Sequence, residues 1–126
     1  MATKMTLLVV DDDEAVLGLL RTKLERTGRY DVLTAGGGNE AIQRVRERRP
    51  DLIVCDIDMP DMDGGALAAA LKEDLTTRTL PVVFLSGLVS PQDSARGAVG
   101  GWPMLSKQSK IEHLVAKIDE LLTKTP

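Results

Sequence analysis

The sequence contains a single cysteine and lacks both a long apolar run and an excess of basic residues. One cysteine, Cys55, excludes an internal disulfide, and its apolar surroundings predict a small buried side chain. No apolar run approaches the about 18 residues of a membrane span, and the short run before Asp11 is not a signal peptide. The formal charge is −3, so direct nucleic-acid binding is not expected. We expect a cytoplasmic protein that binds neither nucleic acid nor membrane.

The length of 126 residues is that of one domain. We predict a single domain over residues 1–126, with its core at about residues 5–123. Short strand-like segments alternate with helical patterns along the chain. The predicted strands are residues 6–10, Tyr30–Ala35, Leu52–Asp56, 81–85 and Trp102–Ser106. The predicted helices are residues 13–27, 39–48, 66–75, 91–99 and 111–122.

This alternation is typical of an α/β protein with a parallel sheet. The strands at residues 6–10, 52–56 and 81–85 are the most apolar and should be interior. The segments Tyr30–Ala35 and Trp102–Ser106 are mixed, which suits edge strands. The strand order 2-1-3-4-5 places those two at the edges. We therefore predict a flavodoxin-like, doubly wound sheet of five parallel strands in that order, with five helices.

Charged and hydroxyl side chains follow the predicted strands at their ends. They are Asp11, Asp12, Asp56, Ser86 and Lys107. The first and third strands are neighbours in the predicted order, so the three carboxylates should converge. Three acids so close should not all stay ionised without a cation, and Mg²⁺ prefers oxygen ligands of this kind. The hydroxyl of Ser86 and the ammonium of Lys107 suit phosphoryl oxygens.

The chemistry that this set of side chains indicates is phosphoryl transfer to a carboxylate. Such transfer requires in-line positioning and charge stabilisation from the protein. Asp56 is the natural nucleophile, and its product would be an acyl phosphate. Taken alone, each residue has a simpler interpretation: Asp11 to Asp13 as helix-capping acids, Ser86 as a turn residue and Lys107 as a solvated lysine. The combination at strand ends favours the chemical interpretation.

The three glycines at residues 36–38 also require an interpretation. No Gly-Lys-Ser or Gly-Lys-Thr follows them, and the GxGxxG pattern is absent. We predict that they form a turn and not a phosphate-binding loop.

Four short motifs carry a resemblance to a known family. They are VVDD at residues 9–12, DIDMPDMDG at residues 56–64, LSG at residues 85–87 and LSK at residues 105–107. With these motifs the chain resembles a response-regulator receiver domain of two-component signalling, such as the single-domain chemotaxis regulator. The resemblance extends over about residues 5–122.

The resemblance implies roles for the acidic residues. Asp56 would be the phosphoacceptor. Asp12 and Asp56 would bind Mg²⁺, or Mn²⁺, directly, together with the backbone carbonyl of Asp58. Asp11 would act largely through a metal-bound water. The side chain of Asp58 adds a further acid at the mouth of the site.

The resemblance also implies a phosphoryl-binding and switch set. Ser86 and Lys107 would hold the phosphoryl group, and the small Gly87 would leave it space. Besides the added acid at Asp58, two positions depart from the family pattern. Gln108 follows Lys107 where the family usually has a proline with a cis bond, and a cis bond without proline costs about 3 kcal/mol. Met104 occupies the position where the family usually has an aromatic switch residue.

The function that the resemblance implies is a phosphoacceptor switch. It would receive a phosphoryl group from a sensor histidine kinase, a phosphotransfer protein or a small phosphodonor. It would not be an enzyme acting on other molecules, since it promotes only its own phosphorylation and dephosphorylation. A downstream effector, or a second copy of the chain, would bind the face formed by the fourth predicted helix, the fifth predicted strand and the last helix.

Two alternatives stay open at this point. One is a degenerate receiver that acts as a phosphorylation-independent binding module, although the complete set of acids disfavours it. The other is a small phosphatase of the haloacid dehalogenase class, because the DxD pattern at residues 56–58 matches superficially. That class has its nucleophile early in the chain, whereas Asp56 is central here.

Overall fold

The computed structural model describes residues 4–57, 59–87, 98–99 and 102–124. Within these residues the elements in chain order are β1 (Met5–Val10), α1 (Glu14–Glu25), β2 (Tyr30–Ala35), α2 (Gly38–Glu47), β3 (Leu52–Asp56), α3 (Gly64–Glu73), β4 (Val82–Ser86), β5 (Ala98–Val99), β6 (Trp102–Ser106) and α4 (Ile111–Lys124). None of the helices in this part of the chain has the length and apolar character needed to cross a membrane.

The five longer strands, β1 to β4 and β6, are all parallel. They lie side by side in the order β2-β1-β3-β4-β6. Counted among the longer strands, this order is 2-1-3-4-5, so the predicted flavodoxin-like arrangement is confirmed. Because parallel strands all end at the same edge, the order brings the carboxyl ends of β1 and β3 together at the switch point of the sheet.

The structure differs from the prediction on the outer side of β6. Ala98 and Val99 form β5, which pairs antiparallel with β6 opposite Pro103 and Trp102. The predicted helix over residues 91–99 therefore does not reach Val99, while residues 91–97 lie outside the described residues. Val99 is β-branched, which suits a strand. The described residues form four helices, one fewer than predicted.

Both faces of the sheet are covered, because side chains alternate between the faces along each strand. One core layer lies between the sheet and helices α2 and α3, and the other between the sheet and helices α1 and α4. The first includes Leu8, Val10, Ile53, Cys55, Val82, Phe84, Val45, Leu67 and Leu71. The second includes Leu7, Val9, Leu52, Val54, Val83, Leu85, Leu17, Leu24, Leu114 and Ile118. The continuous apolar runs of β1, β3 and β4 follow from this double coverage.

Helix α3 approaches the sheet closely at Gly64. A Cβ atom at this position would lie 2.7 Å from Cε1 of Phe84 and 3.1 Å from the Cα of Ile57. The Gly64 amide donates a hydrogen bond to the carbonyl of Ile57 at 2.8 Å, which closes the loop that follows β3. Glycine is therefore required here by the space available.

We expect Gly64→Ala to lower the free energy of unfolding by about 1–3 kcal/mol, because the added methyl group overpacks the core at Phe84. Urea unfolding followed by far-UV circular dichroism measures the change. Gly18→Ala is the matched control, since a Cβ at this exposed position of α1 would meet nothing within 4 Å. It should leave stability unchanged or raise it by up to about 1 kcal/mol. Equal effects of the two substitutions would contradict the packing described here.

Candidate functional site

Three aspartates meet at the carboxyl-terminal edge of the sheet. One carboxylate oxygen from each of Asp11, Asp12 and Asp56 lies within 4.8 Å of the other two. Asp11 and Asp56 are 1% and 5% exposed, whereas Asp12 is exposed to solvent. The register of β1 and β3, in which Val10 pairs with Cys55, sets Asp11 beside Asp56. The predicted convergence of the three carboxylates is therefore present in the structure.

Lys107 brings a positive charge into this acidic cluster. Its Nζ lies 2.9 Å from Oδ2 of Asp11 and 3.3 Å from Oδ1 of Asp56. Burial opposes the charged form, but the hydrogen bond to Asp11 and the attraction of both carboxylates raise the pKa of Lys107 above its ordinary value. Lys107 is therefore cationic at neutral pH and offsets part of the negative charge.

The turn that positions Lys107 is held by two serines. The Lys107 amide donates to the carbonyl of Ser86 at 2.9 Å. The Gln108 amide donates to Oγ of Ser106 at 3.0 Å. No peptide bond among the described residues is cis, so Lys107 is joined to Gln108 through a trans bond. Lys107 thus reaches the acidic cluster with Gln108 in place of the family's usual proline.

Asp11 is fixed from both sides of its carboxylate. Oδ2 contacts Lys107, and Oδ1 accepts a hydrogen bond from the Asp13 amide at 2.9 Å. Asp13 in turn caps α1, because its side chain accepts from the Ala15 amide at 2.9 Å. Of the first acidic run, Asp13 is therefore the helix cap, and Asp11 and Asp12 belong to the cluster.

The remaining predicted site residues lie around the ends of β4 and β6. Ser86 is buried and lies in register with Ser106. Gly87 is exposed, and a Cβ there would lie 4.0 Å from Cδ of Lys107, which is an ordinary contact. Met104 is half-buried and packs against the core layer on the α2 and α3 side. Asp58 lies outside the described residues, so the role of its carbonyl stays a prediction.

Cys55 lies immediately before Asp56 and is fully buried. Its thiol donates to the carbonyl oxygen of Asp56 at 3.1 Å. Burial, and then the negative charges of Asp56 and Asp11, raise the pKa of Cys55 far above its ordinary value. Cys55 is therefore the neutral core side chain that the sequence predicts, and it does not compete with Asp56 as a nucleophile.

Asp61 is a residue of this region that the sequence analysis did not single out. Its Oδ1 accepts from the Gly38 amide at 3.2 Å and its Oδ2 from the Asn39 amide at 3.1 Å, both at the amino-terminus of α2. Gly37 and Gly38 thus lie against the Asp61 carboxylate, whereas the Gly36 amide donates to Oε2 of Glu40 at 2.8 Å. The sequence does contain one indication of this contact. Gly37, the residue before α2, has no side chain to cap the helix, so the first amides of α2 need an acceptor from elsewhere in the chain.

The acid cluster has the chemistry of a site for a hard divalent cation. Carboxylate oxygens are the ligands that Mg²⁺ prefers, and Mn²⁺ accepts the same set. Asp11, Asp12 and Asp56 are the residues that could hold such an ion. The partial burial of the cluster strengthens its attraction for a cation, because repulsion among the carboxylates is less screened there.

The chain matches the response regulator receiver domain family over residues 7–119. It is 39% identical over 121 residues to the transcriptional regulatory protein PrrA of Mycobacterium tuberculosis, which covers 95% of this chain and 51% of that protein. The chain spans about half the length of the curated relatives PrrA and Bacillus subtilis PhoP that it matches.

Solved structures agree with this match. The receiver domain of a Francisella response regulator has a TM-score of 0.82 at 31% identity, covering 98% of this chain and 100% of that one. The Vibrio cholerae chemotaxis protein CheY4 has a TM-score of 0.81 at 28% identity, covering 94% of this chain and 99% of that one. Both likenesses extend over nearly the whole chain.

We expect Asp12→Ala to weaken Mg²⁺ binding by more than about tenfold, because it removes one carboxylate ligand. Without metal the variant should unfold at the same or a higher urea concentration, since one of three repelling charges is gone. Calorimetric Mg²⁺ titration and urea unfolding with a chelator measure the two effects. Asp13→Asn removes a neighbouring charge while keeping a capping oxygen, and its Mg²⁺ affinity should stay near wild type. Unchanged affinity in Asp12→Ala would exclude Asp12 as a ligand.

Proposed function

We propose that this chain, which belongs to the response regulator receiver domain family, works as a phosphoacceptor switch with Asp56 as the acceptor. The observation that carries this proposal is the setting of the buried Asp56 carboxylate. The Nζ of Lys107 lies 3.3 Å from it, and carboxylate oxygens of Asp11 and Asp12 lie within 4.8 Å. This set combines a nucleophile, a fixed cation and oxygen ligands at the end of a central strand.

The proposed reaction is transfer of a phosphoryl group onto a carboxylate oxygen of Asp56. The donor would be a phosphohistidine of a sensor kinase or phosphotransfer protein, or a small phosphodonor such as acetyl phosphate. The Asp56 oxygen forms a bond to phosphorus while the bond from phosphorus to the donor atom breaks, and its electron pair leaves with the donor. The ammonium of Lys107 is close enough to Asp56 to donate a hydrogen bond to a phosphoryl oxygen and to offset its charge.

The residues that would hold Mg²⁺ or Mn²⁺ are Asp11, Asp12 and Asp56, with the backbone carbonyl of Asp58. An ion bound there would supply positive charge for the carboxylates and for the phosphoryl oxygens. The protein's own contribution is orientation. The Asp13 amide and Lys107 fix the two oxygens of Asp11 before any ligand arrives, so little rearrangement is required when one does.

The readout would begin at Ser86. Its hydroxyl would donate a charge-assisted hydrogen bond to a phosphoryl oxygen on Asp56. The backbone of Ser86 already binds Lys107 through a 2.9 Å hydrogen bond, so the ends of β4 and β6 would respond together. This biases a two-state equilibrium of the face formed by the segment after Ser90, β6 and α4. A downstream effector or a second copy of the chain would bind that face in the cytoplasm.

The alternatives have less support. A phosphatase of the haloacid dehalogenase class rests only on the DxD pattern at residues 56–58, whereas the family match extends over residues 7–119. A binding module without phosphorylation would not require Lys107 to contact both Asp11 and Asp56. The arrangement of charges therefore favours the switch.

We expect Asp56→Asn to abolish acyl-phosphate formation, because the amide is not a nucleophile for this transfer. Wild-type protein incubated with acetyl phosphate and Mg²⁺ should gain one phosphoryl group, measured by intact mass and by its removal with hydroxylamine. Asp31→Asn, an exposed substitution on β2, should label as wild type does. Undiminished labelling of Asp56→Asn would place the acceptor elsewhere, and turnover of a generic phosphate ester would favour the phosphatase.

We expect the emission of Trp102 to change when beryllofluoride and Mg²⁺ are added, because this half-buried tryptophan lies on the proposed switch face. The change should vanish in Asp56→Asn. Met104 has a flexible thioether that repacks without a discrete flip. We therefore expect the switch face to be coupled to Asp56 more loosely than in family members with an aromatic residue at this position. If Trp102 emission and the amide NMR shifts of residues 102–107 stay unchanged at saturating beryllofluoride, the proposed face is wrong even where Asp56 is the acceptor.

A further inference from the structure

We propose that Asp61 is a positioning residue, which ties the loop after Asp56 to the amino-terminus of α2 and thereby sets Mg²⁺ affinity and the rate of acyl-phosphate formation. The inference rests on the proposed function of Asp56. Asp61 lies outside the acid cluster, in the loop between β3 and α3, and its carboxylate accepts hydrogen bonds from backbone amides of α2.

The contact is a carboxylate that caps a helix from a distance in sequence. Asp61 accepts from the amides of Gly38 at 3.2 Å and Asn39 at 3.1 Å. These backbone hydrogen bonds, first that of Asn39 and then that of Gly38, lower the pKa of Asp61 below its ordinary value. A helix amino-terminus carries partial positive charge, which favours a carboxylate there. Asp61 therefore stays ionised and bound to α2 at neutral pH.

The glycines before α2 make room for this contact. A Cβ at Gly37 would lie 2.7 Å from Oδ1 of Asp61, and a Cβ at Gly38 would lie 2.7 Å from the Cβ of Met62. The φ of Gly37 is 178°, an extended value that any residue adopts. Space for the loop is therefore the reason for glycine at residue 37.

The loop between β3 and α3 is fixed at several other points. The Ile57 amide donates to the carbonyl of Leu85 at 3.2 Å. Met59 is buried in the core. Asp63 caps α3 by accepting from the Ala66 amide at 2.8 Å. Among the described residues of this loop, Asp61 supplies the hydrogen bonds to α2, and Met62 packs beside it.

This geometry connects Asp61 to the metal site through the main chain. Asp56, the proposed acceptor and a proposed metal ligand, directly precedes the same loop. Releasing Asp61 from α2 would let the loop occupy more conformations, and binding of an ion would then have to order it. Linkage requires the converse as well, so Mg²⁺ binding should alter the environment of the Gly38 and Asn39 amides.

The test compares two variants that break the contact in different ways. Asp61→Ala removes the carboxylate. Gly37→Ala keeps the charge of Asp61 but places a methyl group where the carboxylate lies. The control is Asp74→Ala. Asp74 is also exposed and also accepts from a backbone amide, that of Thr76 at 2.9 Å, but it lies at the carboxyl-terminal end of α3. Mg²⁺ affinity, the rate of labelling by acetyl phosphate and urea stability are measured for all of them.

We expect Asp61→Ala and Gly37→Ala to weaken Mg²⁺ binding and to slow labelling on the order of tenfold. Asp74→Ala should lower the urea midpoint while leaving both functional readouts at the wild-type level. Mg²⁺ should shift the amide resonances of Gly38 and Asn39 in the wild-type protein and not in Asp61→Ala.

The opposite results are distinguishable. Wild-type Mg²⁺ affinity and labelling rate in both variants, with stability reduced as in Asp74→Ala, would show that Asp61 is a structural cap and overturn the inference alone. Failure of the wild-type protein itself to label at Asp56 would overturn the proposed function, and the inference with it.

Discussion

Crowded negative charge at one edge of the sheet is the constraint on which the rest of the structure depends. Three carboxylate oxygens within 4.8 Å of one another repel, and the burial of Asp11 and Asp56 weakens the screening by water. Lys107 meets this constraint from 96 residues away along the chain. Strand β4 pairs with β6, and the Lys107 amide donates a hydrogen bond to the carbonyl of Ser86. These two contacts bring the Lys107 ammonium to Asp11 and Asp56.

An arrangement of this kind is sustained by the apolar layers beneath it. Strands β1, β3 and β4, at whose ends Asp11, Asp56 and Ser86 lie, are themselves buried between helices α1 and α4 on one face and α2 and α3 on the other. Hydrophobic burial there, at about 25 cal/mol per Å² of apolar surface, offsets the unfavourable placement of buried charge. Stability thus resides in the middle of the sheet, whereas the repelling charges lie at its edge, a common arrangement in proteins with charged sites.

The features that the sequence predicts are those encoded in local patterns. Continuous apolar runs ending in Asp11, Asp56 and Ser86 specify interior strands and their polar ends. Contacts made away from the ends of the predicted strands could not be read in this way. The strand Ala98–Val99 has only two residues, too few for a strand pattern in the sequence, and its pairing with β6 depends on the two segments lying side by side. The hydrogen bonds of Asp61 likewise depend on how closely α2 approaches the loop, which no periodicity reports.

The buried thiol of Cys55 gives the protein a built-in chemical probe. It is the only thiol in the sequence, it is fully buried, and it directly precedes Asp56 on β3. A disulfide reagent can reach it only when the sheet opens, so the rate of modification reports the free energy of that opening. Kinetics of this kind would follow the strand that carries the proposed acceptor without any engineered label, and would show how far a bound cation slows the opening of β3.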